Sequence, residues 1–129
     1  MDMPIIELAN GVKVANFCSP HPFNFTTGET LPACSPERVK ALSLKVVEWT
    51  GRNPNNPDIT DIEISFELTD EVVRALELAQ EREVDVVLVP FPLLAAVKEA
   101  GSFPRFSKIR VIRSADRITK AIHPDRFCR

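Results

Sequence analysis

A chain of 129 residues, 44% hydrophobic and 26% charged, has the make-up of one soluble domain, 1–129, large enough for a proper core. Its formal net charge of −2 gives no general attraction to nucleic acid, and no apolar run approaches the roughly 18 residues a membrane span needs. The opening Met1-Asp2-Met3-Pro4-Ile5-Ile6-Glu7 lacks a basic stretch followed by an apolar signal core, so the expectation is a cytoplasmic protein without a membrane partner.

The first part, 1–57, reads as hairpins and turns. Ile5 to Leu8 forms a short strand, Asn10-Gly11 a turn, and Val12 to Phe17 the returning strand. Pro20 and Pro22 hold their predecessors extended. Phe23 to Leu31, with Thr26-Thr27-Gly28-Glu29 at its centre, reads as a second small hairpin. Ser35-Pro36 starts a short helical turn, with Ser as cap and Pro at the first position. A strand follows, whose apolar phase slips at Val46-Val47 and resumes at Trp49, the pattern of a β-bulge. Asn53-Pro54-Asn55-Asn56-Pro57 is a loop.

The second part, 58–129, alternates strand and helix. Ile62, Ile64, Phe66 and Leu68 alternate with polar residues, as in a half-buried strand. Thr69 or Asp70 caps a helix whose apolar stripe is Val72, Ala75, Leu76 and Ala79. Val84 to Val89 is almost continuously apolar, the signature of a strand covered on both faces. Pro92 and Gly101 bracket a second helix with Leu93, Ala96, Val97 and Ala100 on one side. Lys108 to Arg113 makes another strand with Ile109 and Val111 inward, and Ile118 to Ile122 a returning antiparallel one. The expected fold is therefore α/β: a mixed, mostly parallel sheet in which a strand-helix-strand-helix-strand core is joined by N-terminal hairpins and a C-terminal antiparallel strand. Val86, Val87, Leu88, Val89, Ile64, Phe66, Leu76, Val97 and Val111 should be buried.

Open sheets of this kind bind ligands outside the carboxyl ends of their parallel strands. Those ends supply Thr69 and Asp70, then Phe91, then Ser114, Asp116 and Arg117, a polar rim suited to a small anionic ligand. The same residues also serve as caps, packing and turn pairs. No glycine-rich loop follows either strand, which disfavours dinucleotide and P-loop chemistry, and no cofactor is implied.

Cys18, Cys34 and Cys128 are odd in number and read as reduced thiols, most simply as small buried hydrophobes. Two sharper alternatives stand beside that reading. Cys34 with His21 or His123 could form a thiol-dependent catalytic pair, and Cys18, His21, His123 and Cys128 could hold a metal, although their spacing matches a zinc site only in part. Charge is unevenly spread: Asp58 to Asp85 holds ten acidic residues against Arg74 and Arg82, and Phe103 to Arg129 holds eight basic ones against Asp116 and Asp125. Complementary segments can pair within the fold, between copies in a homo-oligomer, or with an anionic partner. Arg110 and Arg113 face opposite sides of a regular strand, and only Phe103, Phe106 and Phe127 interleave the basic residues, so nucleic acid is a weaker reading.

Ser19-Pro20-His21-Pro22-Phe23-Asn24-Phe25 followed by Leu31-Pro32 resembles the opening of small uncharacterised accessory proteins of phages and prophages. The Asp85-to-Pro90 strand and the Arg105-to-Asp116 region are similar in layout. The resemblance brings no catalytic residues, and the thiols are not part of its pattern. It implies a non-virion accessory protein of the host-cell cytoplasm that acts on a host protein or a small signal, a nucleotide among them. Together the residues and the resemblance favour binding without turnover.

Overall fold

The chain is a mixed α/β protein, and the computed structural model describes residues 3–112 and 121–129. Chain order begins with β1 (Ile5–Glu7) and β2 (Lys13–Asn16), joined at Asn10-Gly11 where Gly11 takes a φ of +86° that only glycine adopts freely. Gly28, at φ +100°, turns β3 (Phe23–Asn24) back into β4 (Thr30–Leu31). Next come α1 (Pro36–Ala41), β5 (Lys45–Arg52) and β6 (Thr60–Glu67). The rest is α2 (Asp70–Glu81), β7 (Val86–Leu88), α3 (Phe91–Glu99) and β8 (Ile109–Arg110).

The main sheet has the order β1-β2-β7-β8, with β2, β7 and β8 parallel and β1 antiparallel to β2. Alternation within β7 and its flanks explains the unbroken apolar run. Val87 and Val89 face a core shared with Val72, Leu76, Leu93 and Val97 of the helices and Phe106 of the turn before β8. Val86 and Leu88 face a second, smaller core with Leu8, Val14, Phe25, Leu31 and Ile122. The strand is thus covered on both sides, by helices on one and by the β3–β4 hairpin on the other.

Sequence periodicity puts β6 in the same core sheet as β7; the structure corrects this. The parallel neighbour of β7 is β2, in the register Val14↔Val86, Ala15↔Val87 and Asn16↔Leu88. Ile64 and Phe66 are accordingly not core residues, being 57% and 38% exposed. The reason is the other face of β6, which carries Asp61, Glu63 and Glu67. A sheet covered on both sides would bury those carboxylates without partners, whereas β2 offers Val14 to one core and Ala15 to the other. Instead β6 pairs only with β5, as a separate two-stranded ribbon of eight residue pairs from Lys45↔Glu67 to Arg52↔Thr60.

The expected bulge at Val46-Val47 is also absent, since Val46↔Phe66 and Val47↔Ser65 pair in unbroken register. Most residues of the ribbon are exposed on both faces, so burial does not force the apolar phase to be reset. The ribbon tip is set by Asn53, whose Oδ1 accepts the amides of Asn55 (2.8 Å) and Asn56 (3.0 Å).

Helix starts follow the expected chemistry. Ser35 Oγ accepts the Arg38 amide at 3.2 Å, and Thr69 Oγ1 accepts the Val72 amide at 3.2 Å. In α2, Val72, Leu76 and Ala79 are buried; in α3, Leu93, Leu94, Ala96 and Val97 are. The α2 helix also ties to the chain leading into β8. Arg105 pairs with Glu77, and Gln80 Oε1 accepts the Lys108 amide at 3.2 Å. Part of the charge asymmetry is therefore satisfied within the chain. Of the expected C-terminal strand, residues 118–120 lie outside the described residues; Ile122 bridges Phe25 in parallel, and Val111 bridges Cys128 in antiparallel sense.

Candidate functional site

The carboxyl ends of the parallel strands open onto a crevice of about 790 Å³. Strand β7 delivers Leu88, Val89 and Pro90 to it, and the segment after β8 delivers Val111 and Ile112. Ser19, Pro20, His21 and Phe23 form a second wall, while Phe91, Leu94 and Lys98 of α3 form a third. Cys128 and Arg129 close the last side, held against the sheet by paired Val111–Cys128 backbone hydrogen bonds of 2.7 and 2.9 Å.

Asn16 keeps the His21 wall in place. It is the fully buried polar residue at the end of β2. Its Nδ2 donates to the carbonyl oxygens of Pro32 (2.9 Å) and Ser19 (3.3 Å), and its Oδ1 accepts the Ser19 amide at 2.8 Å. A side chain that caps its own strand end in this way fixes where the chain turns away from the sheet.

The floor of the crevice is apolar and its titratable rim is basic. No Asp or Glu side chain lines it among the described residues; Lys98, Arg129 and His21 do. Lys98 Nζ sits 5.5 Å from the centroid of the Phe103 ring, and Arg110 Cζ lies 6.0 Å from the same ring. Arg110 is held below the usual guanidinium value by burial and by the neighbouring charge of Arg129. The two ion pairs among the described residues, Arg105–Glu77 and Asp125–Arg126, involve none of these cations. Proline at 90 and 92 removes two amides from the start of α3, so an anion here meets side-chain cations rather than a backbone cradle.

Of the residues singled out from the sequence for ligand binding, Phe91 lines the crevice and is 68% exposed. Thr69 and Asp70 do not line it: they follow β6, which stands outside the sheet, and Thr69 caps α2. Ser114, Asp116 and Arg117 lie outside the described residues. Lys98 and Arg129 were not singled out, because nothing in a helical last turn or a final residue marks it as facing a crevice. Asn16 carries a weak signal only, a polar residue closing an alternating strand.

The thiols separate. Cys34 is buried and donates to the Asn16 carbonyl oxygen at 3.2 Å; burial pushes its pKa up, against the Arg38 charge. Cys18 is pushed up to about 11 by burial, with the Cys34 thiol acting in the same direction and Arg38 opposing. The Arg38 guanidinium is itself engaged, Nε donating to the Phe17 carbonyl oxygen at 2.7 Å. His21 and Cys128 share the crevice, while His123 does not line it. Among the described residues no hydrogen bond joins a thiol to an imidazole, and no group of three or more His, Cys, Asp and Glu is placed to hold a metal. The basic segment offers few stacking faces: Phe106 is buried under Arg105, and Phe103 is flanked by Lys98 and Arg110. Among the described residues, no helix is long and apolar enough to cross a membrane. No family model, curated protein or solved structure matches the chain, so its site is defined by its own residues alone.

Proposed function

We propose that this is a binding protein whose strand-end crevice takes a small amphipathic anion, a carboxylate or phosphate on an apolar or aromatic body, and holds it without turnover. One observation carries the reading: an apolar crevice of about 790 Å³ whose rim is basic and lacks Asp and Glu side chains among the described residues, at the carboxyl ends of parallel strands. The apolar body lies against Leu88, Val89, Leu94 and Phe91, and the anionic group meets Lys98 and Arg129. The raised pKa of buried Cys34 weighs against its use as a catalytic thiol.

The test is thermal stabilisation by phenyl phosphate, octanoate, AMP and cyclic AMP, comparing the parent with Lys98→Glu. A member present at about 100 times its dissociation constant should stabilise the parent by roughly 2.7 kcal/mol and the Lys98→Glu variant far less. No shift with any member, or an equal shift in the variant, refutes the proposal.

A further inference from the structure

The β5–β6 ribbon has two unlike faces. Directly opposed residues in an antiparallel pair share a face, so Val46, Glu48, Thr50 and Arg52 lie with Phe66, Ile64, Ile62 and Thr60. The other face holds Lys45, Val47, Trp49 and Gly51 with Glu67, Ser65, Glu63 and Asp61. Three of the exposed apolar side chains on the first face are Val46 at 55%, Ile62 at 60% and Ile64 at 57%. An isolated two-stranded ribbon is marginal in water, and this one leaves an apolar stripe uncovered.

We infer that the Ile62–Ile64 face of the ribbon is covered by the same face of a second copy of this chain, the two arms overlapping antiparallel about a twofold axis through the Thr50–Ile62 pair. Charge selects this occupant. The apolar face carries one acid and one base, Glu48 and Arg52, placed symmetrically on either side of Thr50 along β5. The twofold sets each Glu48 over the second copy's Arg52 and brings Ile62 over Ile62, the self-complementarity an isologous contact requires. The opposite face would repel its copy, with Asp61, Glu63 and Glu67 against Lys45 alone. Edge pairing of β6 with itself is disfavoured for the same reason. Centred on Ile64 it sets Asp61 beside Glu67, and centred on Glu63 it sets Glu63 against itself. Stacking at the usual sheet separation of about 10 Å leaves the two bodies at opposite ends of the overlapped arms.

Analytical ultracentrifugation from about 1 to 500 µM tests this, with association constants compared among variants. The parent should dimerise. Ile62→Asp should weaken the dimer at least about tenfold, with circular dichroism unchanged because the side chain is exposed. Glu48→Arg and Arg52→Glu should each weaken it, and the double variant Glu48→Arg/Arg52→Glu should restore it to within about threefold of the parent. Trp49 is the single tryptophan, lies on the outward face, and should keep its emission wavelength on association. A parent that stays monomeric, a dimer indifferent to Ile62→Asp, a double swap no better than its singles, or a blue shift of Trp49 on dimerisation each overturns the inference.

Discussion

Asn16→Ala should cost this protein more than most single substitutions, by an amount its neighbours set. The side chain is fully buried and makes three hydrogen bonds, two to Ser19 and one to Pro32. Truncation leaves the half-buried Ser19 amide without its partner, at about 1–3 kcal/mol. The Ser19 carbonyl keeps the Cys34 amide at 2.9 Å, and the Pro32 carbonyl in an exposed residue can turn to water. A small void adds to that, for a total of about 2–3 kcal/mol. In a chain of this size the melting temperature should fall by about 6–10 °C. Asn16→Asp should be worse near neutral pH, since it turns a donor into a charged oxygen aimed at two carbonyls. Its folded pKa must lie above the unfolded value, so stability is regained as pH falls and lost as pH rises through the folded pKa. Differential scanning calorimetry from pH 4 to 8 reads both variants. If Asn16→Ala melts within about 2 °C of the parent, or Asn16→Asp matches the parent at pH 7, the strand-end role of Asn16 is wrong.

Val87→Asp, in the doubly covered central strand, should cost about 3 kcal/mol or more, whereas Ile64→Asp at monomeric dilution should stay within about 0.5 kcal/mol. Denaturant unfolding with equal losses for the two would return β6 to the core sheet. Cys18 and Cys34 should resist iodoacetamide at pH 8 until denaturant is added, with half-buried Cys128 reacting first; rapid labelling of Cys34 at pH 6 would favour a catalytic thiol instead. The raised Cys18 pKa also sets an alkaline limit. The folded chain keeps a proton that the unfolded chain releases, so stability is intact below the ordinary thiol value of 9.0 and declines as pH rises from there toward about 11. A stability plateau across that window would contradict the burial of Cys18.

Elements governed by local rules were legible in the sequence. Gly11 and Gly28 announce their hairpins through φ values only glycine adopts freely, Ser35 and Thr69 announce helix starts, and Val84 to Val89 announces a strand with two covered faces. Pairing was not legible where it is a competition between distant segments. Ile62, Ile64 and Phe66 alternate as well as any core strand, yet β2 takes the place beside β7 because it carries no acid into a covered face. The same limit applies to the crevice. Phe91 could be placed at a strand end from its position alone, but Lys98 and Arg129 meet there only once α3 and the Val111–Cys128 bridge are folded.

The crevice is tested most directly by titrating phenyl phosphate into uniformly ¹⁵N-labelled protein and following amide chemical shifts. Saturable changes should concentrate at His21, Phe91, Leu94, Lys98 and Cys128, and fade in Lys98→Glu. Shifts centred instead on Ile62 and Ile64 of the ribbon, or a spectrum that does not move, would contradict a binding site at the strand ends.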